Sequence, residues 1–261
     1  MPSILDAGAA RPPAATAGVV LDGVVRILGG KRVLDGADLR VVARERVGIV
    51  GRSGAGKSTL LSLVAGLDDP DAGTVSVGSG TAATARLDRC ALMPQRDCLL
   101  PWRTALDNAC LALENAGLQR AEARRQATPL FARLGLAGAE QLRPARLSGG
   151  MRQRVAFLRT LLAGKEVLLL DEPFGALDAI TRAELQDWLA AALDAEPRTV
   201  LLVTHDVEEA LLLCTRVLVL DSGRITAAFD VDVPREDRTR RDIVTSAAFV
   251  ELRERALEAI G

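Results

Sequence analysis

The chain has 261 residues, 49% of them hydrophobic and 26% charged, which is enough apolar material for a sizeable core and too much for a disordered chain. Its 33 basic and 34 acidic side chains leave a formal net charge of -1, so there is no basic excess for bulk binding to nucleic acid and no such partner is expected. The four cysteines, Cys90, Cys98, Cys110 and Cys214, form no C-x-x-C pair and read as ordinary thiols, not as a disulfide frame or a zinc site.

Residues 1–18 are rich in Ala, Pro and Gly. They lack a basic start and a sustained apolar stretch, and a loose tail is expected there rather than a signal peptide. The runs Val19–Ile27, Leu39–Val42 and Thr74–Val77 alternate in polarity and predict a small antiparallel sheet. Val47–Val50, Val167–Leu170 and Val200–Val203 are almost wholly apolar, as strands of a parallel sheet covered on both faces must be. Val217–Leu220 is a further strand. Helical patterns follow Gly56, Asn108, Ala121, Gly149, Ala179 and Val207. From about Arg96 to Gly164 no strand is evident, so this stretch reads as a helical lobe inserted into an α/β core. No internal repeat is visible. The longest apolar runs, such as Ala210–Cys214, fall far short of the roughly 20 residues that span a bilayer. A soluble chain is expected, with any membrane part supplied by other chains.

Gly51–Ser58 fits G-x-x-x-x-G-K-[ST] and lies between the strand Val47–Val50 and a helix opening at Gly56. In such a loop Gly51, Ser53, Gly54, Ala55, Gly56 and Thr59 bring backbone N–H groups toward phosphate oxygens at a helix N-terminus. Lys57 is placed for the β- and γ-phosphates and the Ser58 hydroxyl for Mg²⁺. The apolar run Val167–Leu170 delivers Asp171 and Glu172 to the carboxyl edge of the sheet, where open α/β folds bind ligands. Asp171 can hold a magnesium shell, and Glu172 can polarise a water for in-line attack on a γ-phosphate.

With these two elements the chain resembles the ATP-binding subunits of ABC transporters. Leu147–Arg154 (LSGGMRQR) is similar to the family's signature, Gly175–Asp178 (GALD) to its D-loop, His205 to its switch histidine and Gln95 to its Q-loop glutamine. All stand in family order, over roughly Val19 to Ile225. The resemblance implies a P-loop NTPase (RecA-like) α/β core with a small antiparallel β subdomain and an inserted α-helical subdomain. The ATPase domain would span 19–235, its helical subdomain about 96–164, and a charged helical tail 236–261. It also implies ATP and Mg²⁺, a head-to-tail and expectedly homodimeric pair of ATPase subunits, two transmembrane permease subunits and, indirectly, a solute-binding protein. Each ATP would sit between one chain's Gly51–Thr59 and the other's Ser148, Gly149, Gly150 and Gln153, with Asp178 at the same seam. His205 would contact the γ-phosphate and orient the water, and Gln95 would contact magnesium or the water.

The aromatic residue that most relatives stack on adenine is missing. Leu28 takes its place in a chain without tyrosine, which leaves selectivity between ATP and GTP open. Asp97–Asn108 (DCLLPWRTALDN) is similar to the nitrate, sulfonate and taurine importer ATPases, which include subunits serving thiamine-precursor uptake. There Leu99, Leu100 and Trp102 would meet a coupling helix of the permease, or else pack in the lobe's own core. No additional C-terminal regulatory domain is expected. The reading that results is an ATPase subunit at the cytoplasmic face of a bacterial membrane, energising import of a small anionic or heterocyclic solute. Two alternatives remain: a soluble ABC ATPase acting on nucleic acid or ribosomes, and an exporter subunit.

Overall fold

A computed structural model describes residues 18–233 and 239–261; the expected loose tail, apart from Gly18, and positions 234–238 lie outside the described residues. The chain opens with a hairpin, β1 (Val19–Leu28) and β2 (Lys31–Val41), and enters the core on β3 (Arg46–Val50). Next come α1 (Lys57–Ala65), β4 (Ala72–Val77), α2 (Ala83–Arg89) and β5 (Cys90–Met93). The following stretch is helical: α3 (Ala105–Asn115), α4 (Arg120–Arg133), a 3₁₀ turn at Pro144–Arg146 and α5 (Gly149–Leu162). The core resumes with β6 (Val167–Asp171), α6 (Ala179–Ala195), β7 (Thr199–Val203), α7 (Val207–Leu213), β8 (Arg216–Asp221) and β9 (Arg224–Asp230). Helices α8 (Arg240–Val244) and α9 (Ala247–Ile260) follow.

Two sheets result. The small one, in the order β2-β1-β4, is antiparallel throughout, as the alternating runs predicted. The large one has the order β5-β6-β7-β3-β8-β9, parallel except where β9 returns against β8. Successive side chains of a strand point to opposite faces, so a strand covered on both sides must be apolar at every position. In β6 that division is visible residue by residue. Leu168 and Leu170 join the core that holds α3–α6, while Val167 and Leu169 join the core between α1 and the small sheet. A third core packs α7 and α9 on β8 through Val217, Val219 and Phe249.

The helical pattern after Asn108 begins earlier than its apolar spacing indicated. Thr104 caps α3 by accepting from the Asp107 N–H at 3.2 Å, so Asn108 lies inside the helix. β5, β9 and α2 had no clear sequence signal. α2 is bolted down by Arg86, whose guanidinium is 2% exposed and donates to the carbonyls of Leu63 (3.0 Å), Asp68 (3.0 Å) and Thr81.

Candidate nucleotide site

The carboxyl ends of β3, β6 and β7 lie side by side in the large sheet, so the segments leaving them share one edge. The turn after β3 is tight because neighbours leave no room for a side chain. A Cβ on Gly51 would stand 2.1 Å from the carbonyl oxygen of Leu220. Gly56, at φ 105, has the Val33 carbonyl 2.7 Å from where its Cβ would be. Lys57 then folds back over the turn, its Nζ donating to the carbonyls of Gly51 (2.7 Å) and Arg52 (2.9 Å). Burial lowers the Lys57 pKa, against the charges of Glu172 and Asp171, which raise it. Ser53, Gly54 and Ser58 are exposed on the same loop, Thr59 is half-buried, and Ala55 and Gly56 are buried.

Asp171 closes β6 and is buried. Burial pushes its carboxyl above the usual aspartate range; the Ser58 hydroxyl bonds to it and opposes that shift, the Glu172 charge adds to it, and Lys57 lowers it. A carboxylate penalised in this way beside a hydroxyl is an all-oxygen donor set that suits a hard cation keeping most of its waters, as Mg²⁺ does. Among the described residues no cluster of three or more His, Cys, Asp or Glu exists to hold a metal without a ligand's help.

Glu172 has φ 48, a left-handed backbone that costs a non-glycine residue about 1–2 kcal/mol. The turn is held because its N–H donates to Val203 at 2.8 Å and its carbonyl accepts from Gly175 at 3.2 Å. The carboxylate is gripped at both ends: Gln95 Nε2 donates to Oε2 at 3.1 Å, and His205 Nδ1 lies 3.3 Å from Oε1. Gln153, in the second turn of α5, donates to the Glu172 carbonyl at 3.4 Å. Three residues chosen from separate motifs thus meet at Glu172, two at its carboxylate and one at its backbone carbonyl.

Other expected residues lie apart from that point. Ser148 is exposed and caps α5, its hydroxyl accepting from the Met151 N–H at 3.2 Å. Asp178 is exposed and caps α6 through Thr181 at 3.0 Å. These two caps are neighbours, since a Cβ on Gly150 would meet Leu177 at 3.1 Å; Gly149 is exposed beside them. Ile180, which the sequence did not single out, is 74% exposed in the first turn of α6. Leu28 lies at the hairpin of the small sheet, 42% exposed.

The loop after Gln95 divides its apolar residues. Leu99 joins the core, Leu100 is half-buried, and Trp102 is 68% exposed. Buried Asn108 brackets the loop, accepting from the Leu100 N–H at 2.7 Å and donating to its carbonyl at 3.1 Å. Arg159 donates to the carbonyls of Cys98 and Asp97 at 2.9 and 2.8 Å. No helix among the described residues is long and apolar enough to cross a membrane.

Residues 34–175 match the family model described as "ABC transporter". The chain is 48% identical over 228 residues to the aliphatic sulfonates import ATP-binding protein SsuB 1 of Rhodococcus jostii, covering 87% of this chain and 88% of that one. It is 42% identical over 210 residues to the formylaminopyrimidine import ATP-binding protein ThiZ of Halalkalibacterium halodurans, covering 80% and 82%. The dimeric ATP-binding cassette MJ0796, solved in a post-hydrolysis state with ADP and Pi, superposes with a TM-score of 0.75 at 28% identity, over 82% of this chain and 98% of that one.

Proposed function

The chain belongs to the ABC transporter family, and from that premise we propose that it is the ATP-hydrolysing subunit of a bacterial importer for a small solute of the sulfonate or thiamine-precursor kind. The observation that carries the hydrolytic part is the double grip of Gln95 and His205 on the Glu172 carboxylate, beside a lysine-closed phosphate loop. The importer part is supported by relatives named as sulfonate and formylaminopyrimidine import subunits.

In this reading Gly51–Thr59 cradles the triphosphate, and Lys57 moves from the loop carbonyls to the β- and γ-phosphates. Ser58 and Asp171, with the Gln95 amide oxygen, would hold Mg²⁺, which when bound neutralises charge on the phosphates. Glu172 accepts the hydrogen bond of the attacking water and takes its proton as the water oxygen bonds to the γ-phosphorus. The bond to the β-phosphate oxygen breaks, leaving ADP and inorganic phosphate. His205 holds the carboxylate from the other side and faces the γ-phosphate. Leu28 gives the base an aliphatic contact in place of a ring.

The second half of the site comes from another copy of the chain. The two exposed caps, Ser148 and Asp178, and the bare Ile180 form one edge fit to meet a partner's bound triphosphate, with Gly149 and Gly150 supplying N–H groups. The dimeric cassette resembling this chain supports that assembly. The domain would run over 19–235 with its helical subdomain at about 96–164, and Trp102 would meet the permease pair at the cytoplasmic face of the membrane, with a solute-binding protein acting on the far side. The test is ATPase activity of the full chain reconstituted with the permeases encoded beside it and their binding protein. Stimulation by a sulfonate or a formylaminopyrimidine through the binding protein is expected; turnover indifferent to permeases and binding protein would overturn the importer reading.

A further inference from the structure

His205 is 68% exposed on its side chain, so packing does not aim its ring at Glu172; the turn that carries it must. That turn, Thr204–His205–Asp206, is fastened by a residue outside every motif above. The Glu209 N–H donates to Asp206 Oδ1 at 3.2 Å, and the Asp206 N–H donates to Thr204 Oγ1 at 3.0 Å. The Thr204 hydroxyl stands beside the Glu209 carboxyl, whose Oε1 is buried without a hydrogen-bond partner, and the Thr204 N–H donates to the Ile49 carbonyl at 3.2 Å. Glu209 therefore holds Asp206 through its backbone N–H and sets its carboxyl beside Thr204. Its carboxyl is 4% exposed, and its Oε2 accepts from Gln186 of α6 at 3.2 Å. Gln186, 1% exposed, accepts from Arg240 of α8 at 2.5 Å. The turn is thus tied to the helix that Asp178 starts and, through it, to α8.

We propose that Glu209 is a positioning residue for hydrolysis: its buried carboxyl, bonded to Gln186, braces the first turn of α7 against α6, and with it the Thr204–Asp206 turn that faces His205 toward Glu172. The proposal rests on the reading of Glu172 and His205 as the hydrolytic pair. Burial, and then the charge of Asp206, pushes the Glu209 carboxyl up to about 7, against the neighbouring Thr204 hydroxyl, the bond from Gln186 and the charge of Arg182 on α6. The lock is therefore a neutral acid below that pH. Ionisation above it sets a second negative charge against Asp206 inside the turn.

The test uses the full chain and three variants. Glu209→Ala is expected to lower kcat for ATP by about tenfold with KM within about twofold, because the loss falls on the transition state. His205 is the chain's single histidine, so its ring signal in proton NMR is unambiguous. That signal should shift or split in Glu209→Ala and hold its place in Glu209→Gln. Wild-type kcat should fall as pH rises through about 7, and Glu209→Gln should lack that limb. Should Glu209→Ala fail to fold, the two pH profiles decide the matter alone, and identical profiles overturn the proposal. So does wild-type kcat in Glu209→Ala while Glu172→Gln is inactive; full activity in Glu172→Gln overturns the underlying site instead.

Discussion

Gln95 and Glu172 stand 77 positions apart in the chain and are joined by a 3.1 Å hydrogen bond from the Gln95 amide to Oε2 of the carboxylate. Gln95 begins the connection into the helical stretch, and Glu172 directly follows β6, the strand that comes after it. Any displacement of that stretch would therefore be felt at the group proposed to activate water.

Glu172→Gln should keep ATP binding and lower phosphate release by about 10²-fold or more, since the amide cannot take the proton. Fluorescent-nucleotide binding and a phosphate assay on the same preparation check it. A rate near wild type would remove Glu172 from the role of base.

Ser148→Arg should abolish ATP-dependent dimerisation of the Glu172→Gln chain, seen by size-exclusion chromatography, and leave ATP affinity of the single chain unchanged. Ser148→Ala is the comparison, because it removes the hydroxyl without adding bulk or charge; it should cost about 1 kcal/mol of stability through the lost cap and weaken dimerisation far less than arginine.

Asp107→Ala should destabilise the protein by about 1.5–3 kcal/mol in denaturant, toward the lower end because Arg120 and Arg124 can turn to water. Burial pushes the Asp107 carboxyl up, but the bonds from those two arginines outweigh it and hold it below the usual range. A depressed carboxylate stabilises the fold fully above the ordinary aspartate range and loses that contribution as pH falls through its own lowered value. The gap between wild type and variant should therefore close only in acid.

Trp102→Ala should leave ATP turnover of the isolated chain within about twofold, as exposed substitutions generally do. It should weaken co-purification with the permease subunits. Undiminished co-purification would free Trp102 from that contact.

Thiol titration of the native chain should show one fast cysteine, Cys98, which is exposed while Cys90, Cys110 and Cys214 are buried. Burial pushes Cys90 and Cys110 up to about 12, leaving almost no thiolate at neutral pH. Cys98→Ser should abolish the fast phase.

The phosphate loop, the β6 carboxylates and the parallel strands were legible because each is written in consecutive residues whose spacing has one mechanical meaning. β5 escaped because CALM is four residues long and follows α2 directly, with no turn signal between them. β9 escaped because RITAAFD is only half-buried on Ile225, Ala227 and Phe229, and the adjacent alanines 227 and 228 fall on opposite faces and blur the alternation. Leu99 and Trp102 look alike in sequence, and only packing divides them into core and surface. Glu209 and Asp107 carry no signal in the sequence, because what makes them special is burial against other helices, and nothing local encodes it. The meeting of Gln95, His205 and Gln153 at one residue is likewise a product of strand order and not of spacing.

The bond from Gln153 to the Glu172 carbonyl has a consequence for a pair of chains. In the proposed pair, helix α5 would offer its first turn to the neighbour's triphosphate while, one turn on, it holds the backbone of its own chain's Glu172. Filling either cleft would then tug on the proposed hydrolytic residue of the opposite one. Two such clefts cannot titrate independently: ATP turnover against concentration should be sigmoidal, with a Hill coefficient above one.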